Sequence, residues 1–356
     1  MASDIVAVAI VERDLHGDCL AAWTYPILPE GVEPVVLRRA ESMLGSLSGG
    51  ANPADARGES NLFSKFKGTW LCTLAVTQNL PSDVLPSVSG FALCLVCRTF
   101  NPEKFGGLLQ ELCARYSATG ESTSVLEGYL SVFTTGALND TWRNDDPKWD
   151  DNRALIANSS IIELVSTFGM ESILLWNALI LKKRVFVYSD DTAQLMRTVR
   201  TLPQFVWHRR NWELLRPFVM LDHADEVEDL RSAGVFIAGI TDKDALRANA
   251  ADMCDILVDL MERSIVVSPS AKDDMTVTKE LHKEIAEHMV ASAKDGTDQN
   301  LIKRILNRTS QLIERIKKLG GGDGKVGRSA ITSRENLSAN VKRFVLNLAQ
   351  SEGFLE

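Results

Sequence analysis

Histidine is scarce: five residues scattered through a chain of 356 leave few candidates for acid–base chemistry. No Gly-x-Ser-x-Gly elbow occurs and no dinucleotide fingerprint follows a strand, which disfavours an ordinary hydrolase or dehydrogenase. With 23 glycines and 11 prolines the chain is neither collagen-like nor disordered. The longest apolar stretch, residues 173–181, contains Asn177 and reaches about half a membrane span, so no transmembrane segment is expected. No basic region precedes the first apolar run, so no secretory signal is expected either. Six cysteines at irregular spacing read as reduced, mostly buried thiols of a cytosolic protein.

What is present is an ordinary globular composition, 45% apolar and 24% charged, long enough for two domains. Basic residues number 39 and acidic ones 47, and the net charge of −8 disfavours nucleic acid as the main partner. Residues 301–345 oppose that trend with eleven basic side chains against three acidic ones. Such a run either solvates exposed helix faces or forms a docking surface for an acidic protein or an anionic membrane.

Apolar spacing and turn clusters place strands at 4–13 and 19–25 around a turn at 14–18, making a hairpin. A helix follows at 34–44, a small-residue loop at 45–60, and strands at 69–77 and 89–99. Asn101-Pro102-Glu103 opens a helix, because the first turn has no use for the N–H that proline lacks. Another helix covers 125–133. These elements make one α/β lobe. Residues 139–152 are polar and rich in aspartate, yet Trp142 and Trp149 argue for a packed strap across the lobe junction. Helices at 160–168, 172–181 and 193–202 then alternate with strands at 185–188, 218–221 and 235–238. That alternation predicts crossovers and a mostly parallel sheet. From residue 242 the pattern is chiefly helical, at 251–260, 276–293, 301–319 and 335–351.

Three apparent chemical motifs dissolve on inspection. Cys94 and Cys97 have the spacing of a metal or redox pair, but residues three apart in a strand point to opposite faces, and no second pair follows. Gly320-Gly321-Gly322-Asp323-Gly324-Lys325 lacks the Ser or Thr and the distant glycine of a phosphate loop, with Val326 and Leu319 in those places. His282 and His288 are six apart, not the four that a zinc helix needs, and are expected on the surface. No catalytic, cofactor or metal residues are assigned.

The most distinctive segment is residues 168–181, a helix apolar on nearly all sides and therefore buried. Lys182-Lys183-Arg184 closes it, where cations suit the helix dipole, and the strand Val185-Phe186-Val187-Tyr188 follows at once. A helix then leads to Thr201-Leu202-Pro203 and Trp207-His208-Arg209-Arg210-Asn211-Trp212. This order resembles the central portion of DENN domains. The stretch from Val11-Glu12-Arg13-Asp14 through Trp23-Thr24-Tyr25-Pro26 resembles the hairpin opening the longin-type lobe that precedes it. Phe100 to Phe105, Arg200 to Pro203, Val206 to Arg209 and Leu281 to Glu284 are similar to the small DENN-only subfamily designated member ten. Residues 45–60 and 320–333 depart from the family pattern.

The resemblance implies an α/β fold of two lobes. A longin-like lobe spans residues 1–138, a strap 139–152, a central DENN α/β core 153–242 and a helical downstream region 243–356. It also implies a guanine nucleotide exchange factor for a Rab GTPase, cytoplasmic and peripheral on late endosomes, with no cofactor. Trp207, His208, Arg209, Arg210 and Trp212, two arginines among aromatics, are the GTPase-contact candidates. The same residues are equally open to a structural role as a clasp. The alternative is a non-catalytic subunit on the coiled-coil scaffold of the endosomal Commander assembly, with Arg304, Arg308, Lys317 and Lys318 as docking candidates. Ile302, Ile305, Thr309, Leu312, Ile316 and Leu319 form a short heptad-like seam, which helix packing inside the protein would also explain.

Overall fold

A computed structural model describes residues 4–48, 59–77, 80–81, 83–139, 141–149, 158–249, 252–319, 325–334 and 336–356. Most of the small-residue loop (49–58) and of the glycine-rich connection (320–324) lies outside the described residues. The chain is mixed α/β and divides into two units, Met1–Ala157 and Asn158–Glu356, each with its own five-stranded sheet. Among the described residues no helix is long and apolar enough to cross a membrane.

In the first unit β1 (Ile5–Asp14), β2 (Cys19–Tyr25), β3 (Glu59–Phe66), β4 (Thr69–Val76) and β5 (Val88–Cys97) form an antiparallel sheet ordered β2-β1-β5-β4-β3. The Asp14 carboxylate accepts from the His16 and Asp18 N–H groups to close the expected β1–β2 turn, and Gly17 supplies its φ of +97°. Helix α1 (Val32–Ser48) covers one face; α2 (Pro102–Thr119) and α3 (Ser122–Thr135) cover the other. Adjacent residues of β5 show the division. A Cβ on Gly90 would touch Leu44 of α1, whereas Phe91 stacks edge-on against Tyr116 of α2.

Asn101 caps α2 by accepting from the Lys104 N–H, with Pro102 in the first turn as expected. The two strap indoles are packed against the same helix. Trp142 Nε1 donates to the Lys104 carbonyl at 2.9 Å, Trp149 Nε1 to the Arg143 carbonyl at 2.7 Å, and both rings lie beside Gly107. Around Trp142 a two-stranded ribbon forms from β6 (Ala137–Leu138) and β7 (Trp142–Arg143). Two elements differ from expectation. Residues 45–48 continue α1, because Leu47 still buries against the sheet. Strand β3 was not predicted, since Ser60, Asn61, Ser64 and Lys65 break up its apolar positions.

In the second unit β8 (Val185–Tyr188), β9 (Leu215–Arg216), β10 (Ile237–Ile240), β11 (Ile256–Asp259) and β12 (Ser264–Val267) are ordered β12-β11-β8-β10-β9. All pair in parallel except β12. The expected mostly parallel sheet is there, with β8 at its centre and fully buried. Helices α4 (Ile161–Phe168) and α5 (Ser172–Ile180) precede it. Helix α6 (Thr192–Thr201) packs on one face, α7 (Ala224–Ala233) and α8 (Lys243–Asn249) on the other. Gly239 allows close approach: a Cβ there would stand 2.1 Å from the Pro217 carbonyl oxygen. Gly239→Ala should therefore cost about 1–3 kcal/mol, read as a lower urea midpoint at unchanged slope.

Several expectations are corrected in this unit. The helix placed at 251–260 is β11, in a hairpin with β12. Met253, Ile256, Leu257 and Leu260 have helical spacing, but the β-branched Ile265-Val266-Val267 pairs with Ile256-Leu257-Val258 across a turn in which Arg263 adopts φ +49°. The strand at 218–221 ends instead at Arg216, where Pro217 cannot donate to the ladder. Leu174 is only half-buried, although Ile173, Ala178 and Leu181 are buried as expected.

The helical part comprises α9 (Lys283–Asp295), α10 (Asp298–Lys317), the short α11 (Arg328–Thr332) and α12 (Ala339–Ser351). Its centre is Trp176 of α5, fully buried, with Nε1 donating to Thr309 Oγ1 of α10 at 3.0 Å. Phe344 of α12 and His282 pack on the indole at centroid distances of 6.1 and 5.9 Å. His282 is thus not a surface residue, and His288 is half-buried. The reason is that His282 stands at the foot of α9, where its ring is the third member of an aromatic cluster rather than part of the solvated face.

His282 Nδ1 accepts from the Thr278 N–H at 3.0 Å, which assigns the neutral ring's proton to Nε2. Burial lowers the imidazole pKa to about 4. The unfolded chain therefore takes up a proton near pH 6.5 that the folded one refuses until about 4. Stability should fall with acidification across that window, by about 1.4 kcal/mol per pH unit for one proton. Urea unfolding from pH 7 to 5 should show this slope, and His282→Asn should flatten it.

Candidate functional site

Residues 207–212 follow the 3-10 turn Leu202–Val206, and Arg209 fastens them. Its guanidinium donates to the carbonyls of Leu179 and Ile180 at 2.7 and 2.6 Å, at the end of α5 where the helix dipole is negative. It also donates to the Glu352 carboxylate, which lies 3.1 Å from His208 Nε2. Ser351 Oγ adds a bond to the Ile180 carbonyl at 2.9 Å. Burial opposes ionisation of Glu352, but hydrogen bonds from His208 and Arg209 and the Arg209 charge outweigh it, holding the carboxyl at about 2.

The other three candidates face outward. Trp207 and Trp212 are half-buried and meet edge-on at 6.1 Å, and the exposed Arg210 guanidinium stands 5.7 Å from the Trp207 ring. Arg210 and Lys182 both adopt positive φ, at +46° and +53°. With Arg209, Asn211, Ser351 and Glu352 they line an open cavity of about 460 Å³. The five candidates are brought together, but they divide into a clasp (His208, Arg209) and an accessible basic-aromatic surface (Trp207, Arg210, Trp212).

The second candidate set lies on α10. The heptad-like seam is spent inside the protein: Ile302, Ile305, Thr309, Leu312 and Ile316 are buried and Leu319 is half-buried. Arg304 donates to Ser292 Oγ at 2.9 Å and Arg308 pairs with Glu284 at 2.6 Å. Lys317 is 3.4 Å from Glu314 and 4.8 Å from the Phe354 ring, while Lys318 is exposed. At about 100° per residue Arg304, Arg308 and Lys318 share a stripe with the exposed Arg315, and Lys317 falls roughly 140° away from Arg304.

A third surface, on the first unit, escaped the sequence reasoning. Trp23 stacks on Tyr25 at 6.2 Å, Tyr25 meets Tyr129 edge-on at 5.6 Å, and Tyr129 stacks on Phe133 at 6.3 Å. This ladder runs from the edge strand β2 onto α3, with Phe133 59% and Ile27 92% exposed nearby. A signal for it was present: alternate aromatics on a strand, and Tyr129 and Phe133 four apart on a helix. The ladder leaves its apolar groups partly open to solvent at Tyr25 and Phe133.

Comparison with known proteins agrees with this architecture. The family model described as SPA, stabilization of polarity axis, matches residues 158–269, which hold the parallel sheet. The chain is 32% identical to DENN domain-containing protein 10 of Dictyostelium discoideum, over 98% of this chain and 97% of that protein. It is 33% identical to DENN domain-containing protein 10 of Danio rerio, over 88% and 87%. The Mus musculus protein of the same name is 31% identical, over 99% and 97%. The chain belongs to the DENN domain-containing protein 10 family. As a member of that family it has a DENN-type role.

The cysteines of this DENN family member sit as strand geometry requires. Cys94 lies beside Thr73 on the face toward Arg39 of α1, and Cys97 beside Cys72 on the opposite face. Burial pushes the Cys94 and Cys254 thiols up to about 12, and those of Cys97 and Cys113 higher than the ordinary thiol range. Of the six free thiols only Cys19 is partly exposed.

Proposed function

We propose that this chain is a DENN-type guanine nucleotide exchange factor for a Rab GTPase in late endosomal traffic. The observation that supports this most is the similarity to DENN domain-containing protein 10 along nearly the whole chain. In this reading the first unit is the longin-like lobe and residues 153–242 are the central DENN core. Exchange makes no covalent bond. The factor must prefer the nucleotide-free GTPase, and each tenfold weakening of nucleotide needs about 1.4 kcal/mol of that preference. Trp207, Arg210 and Trp212 are the contact residues, and His208 and Arg209 position them. Release of fluorescent GDP from a panel of purified Rab proteins tests the idea: at least one should release faster by about tenfold or more, and Arg210→Glu should slow it. A panel left unaccelerated ends the exchange reading.

The exposed aromatic ladder favours a second reading, a non-catalytic subunit docked on a coiled-coil endosomal scaffold. Tyr25→Ser combined with Phe133→Ser should weaken scaffold pull-down by about tenfold or more, since buried aromatics dominate interface energies, and should leave nucleotide release unchanged. Reversing Arg304, Arg308, Lys317 and Lys318 to glutamate should act less, because Arg308 and Lys317 already have local acidic partners. Should the charge reversal alone abolish pull-down, the basic helix is the docking surface and the ladder is not.

A further inference from the structure

We infer that the second unit holds a binding site for a phosphomonoester on a polyhydroxylated carrier, in a cavity separate from the Arg209 clasp. The cavity has a volume of about 340 Å³, within the roughly 300–1,000 Å³ usual for small-ligand pockets. Its floor is buried (Leu164, Thr198, Thr201, Leu260) and its rim is polar. Three elements build it: α4, α6, and the turn after β11.

Position is the first argument. Leu260 follows the last residue of β11, and its N–H donates to the carbonyl of Tyr188, the last residue of β8. Gln194 lies in the first turn of α6, which β8 leads into. The cavity therefore opens beyond the carboxyl ends of the two adjacent parallel strands, where open α/β sheets bind their ligands because successive connections diverge there.

Charge is the second. Arg197 on α6 and Arg263 in the β11–β12 turn both line the cavity and are exposed. Among the described residues neither guanidinium has an ion-pair or hydrogen-bond partner. Elsewhere in this unit Arg184, Arg209, Arg216 and Arg308 each meet a carboxylate. A carboxylate ligand is saturated by one bidentate arginine, whereas a phosphomonoester dianion has three terminal oxygens to share between two forks.

The rest of the wall selects the carrier. Gln194 Oε1 already accepts from Ser189 Oγ, which leaves its amide N–H groups to donate. Thr167 and Thr201 spend their hydroxyl protons on the carbonyls of Glu163 and Arg197, so their oxygens remain as acceptors. The Glu163 carboxylate is a further acceptor in the same wall, and would repel a second acidic group. Hydroxyls suit these positions.

Calorimetric titration of the full chain with inositol monophosphate is the test. Saturable binding is expected, with inositol and glucuronic acid giving none. Arg197→Gln with Arg263→Gln should raise the Kd by about tenfold or more, about 1.4 kcal/mol. Arg231→Gln, an exposed arginine outside the cavity, should leave it unchanged. All these positions are exposed, so melting temperatures should match wild type. A vesicle arm separates the sources: sedimentation of wild type, but not of the double variant, with phosphatidylinositol monophosphate vesicles supports the site with a lipid headgroup as ligand. Binding to the free phosphate alone supports it with a soluble metabolite. Absence of heat with inositol monophosphate, equal affinity in the double variant, or an equal loss in Arg231→Gln overturns the site.

Discussion

Arg209→Glu should lower stability by about 3–5 kcal/mol, the usual cost of removing one member of a buried ion pair. Both side chains of the Arg209–Glu352 pair are only 12% exposed, so solvent screens little of the loss. The substitution also takes the guanidinium donors away from the Leu179 and Ile180 carbonyls, leaving them the Lys182 N–H and Ser351 Oγ, and sets a second carboxylate against Glu352. Arg210→Glu, one residue on, should stay within about 0.5 kcal/mol of wild type because Arg210 is exposed. Thermal melts of the two single variants measure the difference. A double variant is uninformative about GTPase contact, since the fold would fail before the surface was tested. If Arg209→Glu melts like wild type, the clasp does not hold α5 and α12 together. The clasp also has an acid limit. Glu352 is ionised in the folded chain down to about pH 2, against about 4.5 when unfolded, so its contribution is complete above the unfolded value and fades as pH falls through that interval.

Trp176→Ala should destabilise the second unit by about 3–5 kcal/mol, the range for emptying a large aromatic site that cannot collapse. Collapse is blocked here because α5, α10, α12 and the foot of α9 all meet at the indole. The variant also strands Thr309 Oγ1, 1% exposed, without its donor. Trp176→Phe keeps most of the volume and should lose substantially less. Urea unfolding followed by circular dichroism measures both; equal midpoints for the two variants would falsify the packing account and leave the lost hydrogen bond as the whole effect.

Local chemistry made much of this legible. The Asp14–Asp18 turn, the Asn101–Pro102 start of α2 and the all-apolar α5 depend on near neighbours, and each stands where the sequence puts it. Elements that depend on distant partners were harder. The stretch around residues 256–259 has helical spacing, and it is a strand because it pairs with β12 on one side and, on the other, with β8 about seventy residues away. His282 looked solvated because its own helix is polar, while the residues that bury it, Trp176 and Phe344, come from two other helices. Arg209 sat within a composition suited to a binding surface. Its role as a fastener depends on Glu352, 143 residues on, and on two carbonyls 29 and 30 residues back. No local spacing encodes such contacts. The aromatic ladder was the reverse case: Trp23, Tyr25, Tyr129 and Phe133 were each visible, but nothing in the order of residues said that β2 and α3 would be neighbours.

The burial of five thiols also shapes how the molecule can be probed. Maleimides attack thiolates, and at neutral pH the raised ionisation of Cys94, Cys97, Cys113 and Cys254 leaves essentially none of that form, while Cys72 is shut away by burial. Cys19, partly exposed at the first residue of β2, is the one sulfur a dye can reach without unfolding. Wild-type protein thus has a single labelling position on the strand that bears Trp23 and Tyr25. A fluorophore there would report whatever comes to rest on the aromatic ladder.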